Sequence, residues 1–331
     1  MAYATALIFF FGKLFYPLPL FEISLGLLAL VNFYKNRQIK NKYFLYFLLF
    51  SLITGRFITI ISFLYFIRLA VLLSFFIFPP VFDKKFKNFF LLIVLSNIIF
   101  GLIQYFVWPN FTYFSALNWD PHLFRLVSTF FDPTFTGLIY LMFLIVVFFS
   151  FPNSLIYLVI PYIALALTYS RSSLLSFIVA FAYISQKLKK PKIFFISLII
   201  LISTLFILPR LEGEGTKLER ISSIKAKIEN YKQGINLFSQ HPVFGVGYNN
   251  LKYARNESQN SSHAAFGFDG SLLTILTTTG LIGFILFILG LKQYFLKADF
   301  LHRTLLIAIL FHSLFSNSLL YPFVLFFLFA I

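Results

Sequence analysis

The residues able to do chemistry are few, and most are cationic. Arg171 stands in "LTYSRSSLLSF" as a single cation between two apolar runs. A guanidinium stays protonated and grips phosphate oxygens through two parallel N–H donors, so at such a seam it suits binding an anion or stabilising developing negative charge. The competing reading is an interfacial arginine that snorkels to water. Arg220, Lys225, Lys227 and Lys232 follow in the hydrophilic stretch 210–269. Arg220 and Lys227 are seven apart and share one stripe of a helix, as helper cations or as ordinary solvated residues. His263 and Asp269 can each accept a proton from a hydroxyl, although Asp269 could instead cap the helix that follows it. His122, Arg125 and Asp132 share another polar stretch, 108–133, either as ligand contacts or as solvated loop residues. His241 before Pro242 suits a helix C-terminus, and His302 and His312 receive no role. The five histidines show no metal-site spacing and cysteine is absent, so neither metal nor cofactor is expected.

The elements that must position these groups are membrane helices. Of 331 residues 60% are hydrophobic and only 11% charged, more apolar surface than a soluble domain of this size can hide. Runs long enough to cross a bilayer recur, and continuous apolar helices satisfy their own backbone, which points to an all-α polytopic bundle rather than a barrel. Spans are expected at 14–34, 43–58, 61–79, 88–107, 134–150, 154–170, 171–186, 193–209, 270–291, 304–316 and 318–331, about eleven in all (10–12). Residues 1–13 add a helix or join the first, and the apolar start reads as a retained anchor.

Charge orients the bundle. The short basic loops "KNRQIKNK", "DKKFK", "KLKKPK" and "KQYFLKADFLHR" belong in the cytoplasm by the positive-inside rule, which accounts for a formal net charge of +16 without nucleic acid. Counting crossings then puts 108–133, Arg171 and 210–269 on the outer face. Three parts follow: transmembrane helices over 1–209, an external subdomain over 210–269, and C-terminal transmembrane helices over 270–331. Within the external part Ile221, Ile224, Ile228, Tyr231, Ile235 and Phe238 recur at spacings of three and four, an amphipathic helix. "HPVFGVGYNN" ends it, since Pro242 cannot continue and Gly245 and Gly247 allow a tight turn.

Several stretches resemble the superfamily of O-antigen ligases and polymerases, in the expected order: "RLVSTFFDPTFTG", "TYSRSSLLSF", "SSIKAKIENYKQGINLFSQHPVFGVGYNN", "DGSLLTILTTTGLIGF" and "NSLLYPF". The resemblance implies a GT-C-like membrane glycosyltransferase of the bacterial plasma membrane, working at its outer face. It would take a glycan from an undecaprenyl-diphosphate carrier and pass it to a hydroxyl of a glycan, lipid or protein acceptor. Arg171, helped by Arg220 and Lys227, would bind the diphosphate, and Asp269 or His263 would be the base; His122, Arg125 and Asp132, by their place in the outer loop alone, either contact glycan or are solvated. Two positions depart from the family pattern. Lys227 stands where the family has a second arginine, and Asp269 stands where its ligases have a histidine.

Asp120 and Asp132 lie far apart and only Glu212 and Glu214 are paired, so fixed cations rather than a metal are the expected device, in a transfer expected to invert. Polymerase and ligase are not separable here. A transporter or flippase for an anionic or lipid-linked substrate is the rival from another class, and the sequence shows none of the paired Gly/Pro-broken helices expected of one.

Overall fold

The computed structural model describes residues 1–117, 120–151, 154, 156–255 and 267–331. It is all-helical apart from one two-residue antiparallel ladder, Asn110–Phe111 against His122–Leu123. The first helices are α1 (Ala2–Phe11), α2 (Leu20–Lys35), α3 (Lys42–Thr54), α4 (Ile60–Ile77) and α5 (Lys84–Val107). Then come α6 (Pro133–Ser150), α7 (Ile156–Leu167), α8 (Arg171–Leu188) and α9 (Pro191–Ile207). The chain ends with α10 (Ser222–Gln240), α11 (Leu251–Ala254), α12 (Ser271–Lys297), α13 (Phe300–His312) and α14 (Pro322–Ala330). A helix meets every expected span, and α1 is separate from α2. Four of them, α4, α5, α6 and α12, are long and apolar enough to cross a membrane, with α1, α3, α7, α9 and α13 as shorter apolar helices.

α6 forms the centre. Asp132 caps it by accepting from Thr134 N and Phe135 N at 2.7 and 3.3 Å, and Pro133 takes the first turn, where its missing N–H costs nothing. An unbroken run from Thr136 to Val147 is buried, because α7, α8, α13 and α14 surround it. A helix apolar on every face needs protein or lipid around it, and here protein covers most of it.

α12 is two segments joined at Gly280, whose φ of 65° lies in the left-handed region. The loop after α10 is strapped to this break. Pro242 O accepts from Leu281 N at 2.8 Å, while Val246 N and Gly247 N donate to Thr277 O and Thr278 O at 3.1 and 2.9 Å. A Cβ at position 280 would sit 2.2 Å from Val243 O, so glycine serves here both for its backbone angle and for the close approach. "HPVFGVG" and "TTTGLIG" are thus two halves of one joint.

Candidate active site

The site is assembled from the buried frame outward. Where α7 ends, Leu126 N donates to Leu167 O at 2.9 Å and Arg125 Nε to Thr168 O at 3.0 Å. Those bonds hold the turn at Tyr169, whose φ is 51° and whose hydroxyl donates to Pro209 O at 2.8 Å. Ser170 then caps α8 by accepting from Ser173 N, so Arg171 is the first residue of the helix. The positive end of the helix dipole adds to its charge.

His312 locks this turn from beneath. It is fully buried at the end of α13, with Nε2 3.0 Å from Ser172 Oγ and 3.1 Å from Ser173 Oγ, and Nδ1 2.9 Å from Ser318 Oγ. Ser173 Oγ also donates to Thr134 O at 3.2 Å, so α6, α8, α13 and the approach to α14 meet at one polar knot. The sequence offered one signal for it, a histidine ending an apolar run just before the serine-rich "HSLFSNS".

From that base the Arg171 side chain reaches the start of α10. Nη1 donates to Leu218 O at 3.2 Å and Arg220 O at 2.9 Å, and Nη2 donates to Ser223 Oγ. Three of its five N–H donors are engaged, which leaves donors for a ligand. One turn along the same face of α10, Lys227 Nζ lies 3.4 Å from Asp269 Oδ2 and donates to Phe315 O. A further turn on, Asn230 Oδ1 accepts from Asp269 N at 2.9 Å, and Tyr231 donates to Leu314 O at 2.5 Å. Arg171, Lys227 and Asp269 are therefore brought to one face of one helix.

Other expected residues fall differently. Arg220 folds back on its own loop, donating to Gly215 O at 2.7 Å and Lys217 O at 3.2 Å, and it meets Arg171 through its carbonyl oxygen. Asp269 is not a helix cap; Gly270 holds that position in α12, with no side-chain bond. His122 and Arg125 are buried, not solvated, because the short ladder and the α7 terminus enclose them. Asp132 spends a carboxylate oxygen on capping α6. His263 lies outside the described residues. His241 ends α10 as its C-terminal cap residue.

The electrostatics is mainly cationic, and Asp132 and Asp120 near Arg125 and Glu214 near Arg220 offset it only in part. Burial, and then the neighbouring Arg220, push the Arg125 guanidinium down to about 9. Burial and Arg171 likewise hold Arg220 below the usual arginine range. Among the described residues no carboxylate lies in ion-pair range of Arg125, Arg171 or Arg220. Backbone carbonyls hold all three guanidiniums in place, and dipoles offset a full positive charge only in part. Among the described residues no three His, Cys, Asp or Glu side chains gather as metal ligands.

Residues 156–288 match the family model described as O-antigen ligase. This stretch belongs to that family. The O-antigen ligase match runs from α7 into α12 and takes in Arg171, Arg220, Lys227, Asp269 and the strapped joint at Gly280, while Arg125 and His312 lie outside it. No curated protein gives a significant match to the chain.

Proposed function

We propose that the chain is a glycosyltransferase of the O-antigen ligase type, built into the bacterial plasma membrane with its site facing outward. It moves a glycan from an undecaprenyl-diphosphate carrier to an acceptor hydroxyl, with inversion and without a metal. The observation that carries this reading is the convergence, at the N-terminus of α8, of guanidiniums with no carboxylate in ion-pair range among the described residues, one turn from the Lys227–Asp269 pair.

The acceptor hydroxyl attacks the anomeric carbon from the side opposite the diphosphate. The bond from that carbon to the carrier oxygen breaks, and its electron pair leaves on the diphosphate. Arg171 meets the charge that develops there, with the helix N-terminus behind it and Lys227 beside it, the arrangement in which preorganised donors lower a barrier most. The hydroxyl proton passes to the Asp269 carboxylate; His263 is the alternative acceptor of that proton. Arg125 holds the turn on which Arg171 stands, through Thr168 O and Tyr169 O.

The test is direct. Purified protein is incubated with undecaprenyl-diphosphate glycan and glycan, lipid or protein acceptors, with and without EDTA, alongside Arg171→Ala and Asp269→Asn. Product is expected from the wild-type protein with EDTA present and is expected to be lost in both variants. Undiminished product from Arg171→Ala removes the leaving-group role, and loss of activity in EDTA removes the metal-free one. The acceptor consumed separates ligase from polymerase, and substrate movement across vesicles without a covalent product would identify a transporter.

A further inference from the structure

The isoleucine stripe of α10 does not pack against the protein. Ile221, Ile224, Ile228 and Ile235 are each between 46% and 61% exposed, whereas Gly234 and Leu237 are the residues of α10 that bury. At about 100° per residue the four isoleucines fall within an arc of about 60° on one flank of the face that carries Lys227, Asn230 and Gly234. Lys225 and Lys232, both exposed and seven apart, border the arc on its far side, and Glu229 lies further round. We propose that α10 lies along the membrane surface, its isoleucine stripe set into the acyl boundary and Lys225 and Lys232 among anionic phospholipid headgroups.

Two observations select lipid as the occupant. The first is continuity. Beyond α10 the apolar surface carries on through exposed Val243 and Phe244, which are strapped to the Gly280 joint, to exposed Leu281, Ile282 and Ile285. Those three belong to α12, one of the helices long and apolar enough to cross a membrane. The second is charge. A polar margin of lysines beside an apolar stripe matches an interfacial helix, where the ammonium groups reach the headgroups while their stems stay over the acyl chains. In such a pose the Lys227 edge of α10 sits at the headgroup level. The proposal does not depend on the enzymatic reading or on which side of the membrane the segment occupies.

The absence of cysteine makes the test clean. Single cysteines replace Ile224, Ile228 and Ile235 on the stripe, and Glu229 and Asn236 away from it, in the full-length protein. Each is labelled with an environment-sensitive fluorophore and reconstituted into vesicles of phosphatidylcholine and phosphatidylglycerol. Labels at 224, 228 and 235 are expected to shift to the blue and to be quenched by spin-labelled lipid, and labels at 229 and 236 to be quenched by aqueous iodide. The double variant Lys225→Glu, Lys232→Glu is expected to lessen lipid quenching at 228 in phosphatidylglycerol vesicles and to change it little in pure phosphatidylcholine. Iodide quenching at all five positions overturns the proposal. So does a blue shift without lipid quenching that fades as the protein is diluted in lipid, since a second copy of the chain would then cover the stripe.

Discussion

α6 and α10 are nearly equal in length, at eighteen and nineteen residues, and they bury very different shares of themselves. In α6 thirteen residues are buried and enclosed by four neighbouring helices; in α10 only Gly234 and Leu237 are. The frame around α6 is held by packing, with a few polar knots such as that of His312. The α10 arm is held by one small apolar patch, Gly234 and Leu237 against Leu273, and by point contacts: Arg171 at its start, the Lys227–Asp269 pair at its middle and the Pro242 strap at its end. Substitutions in the frame should therefore register as lost stability, and those at the arm's contacts as lost function with the fold intact.

Four experiments test that contrast. The largest effect is expected at Arg171, where the two regions join. Arg171→Ala should slow glycan transfer by a factor on the order of 10²–10³, as when an oriented donor to a developing anion is removed. Arg171→Lys, which keeps charge and loses the planar fork, should recover part of the rate. A melting temperature that falls as far as the rate would place Arg171 with the frame instead.

Acid should strike the frame next. His122 is buried beside Arg125, and both effects push its pKa down, to about 4. The unfolded chain takes up this proton near the ordinary value of about 6.5 and the folded chain only near 4, so between the two the unfolded state binds more protons. Stability should fall as pH drops through that window, by about 3 kcal/mol at full depth, and level off below it. Thermal melting against pH reads this, and His122→Gln should flatten the acid limb. An unchanged limb in that variant would assign it to another group.

His312→Ala leaves three serine hydroxyls, those of Ser173 and Ser318 buried, short of a partner and should cost about 1–3 kcal/mol. The measurement is a melting curve in detergent, with His312→Gln restoring part of the loss. Asp132→Ala should cost least, about 1 kcal/mol for a lost helix cap. If either variant left stability unchanged while abolishing transfer, the division between frame and arm would fail at that residue.

Much of the architecture is legible in the residues because hydrophobic patterning is a local property. The run of apolar side chains in "PTFTGLIYLMFLIVVFFS" specifies α6, and the three-and-four spacing of isoleucines specifies α10 to within a few residues. The glycines of "HPVFGVG" announce a turn, and they form one, with φ of 70° at Gly245 and 90° at Gly247. The partners of those residues are not legible. Nothing near Gly280 in the chain shows that Val243 O closes on it, and nothing near His312 names Ser172 as its neighbour. The same limit explains Asp269, whose type suits a cap while its neighbour Gly270 takes that place and leaves the carboxylate beside Lys227.

By itself, then, the sequence determined the helices, their apolar faces and the residue types able to act, since each depends on neighbours a few positions away. Tertiary structure alone decided that Arg125 and His122 would be enclosed, that His312 would tie the Arg171 turn together, and that the stripe on α10 would face outward. Those outcomes depend on contacts between residues tens to hundreds of positions apart. Such contacts follow from how whole helices pack, and no short stretch of sequence carries that information.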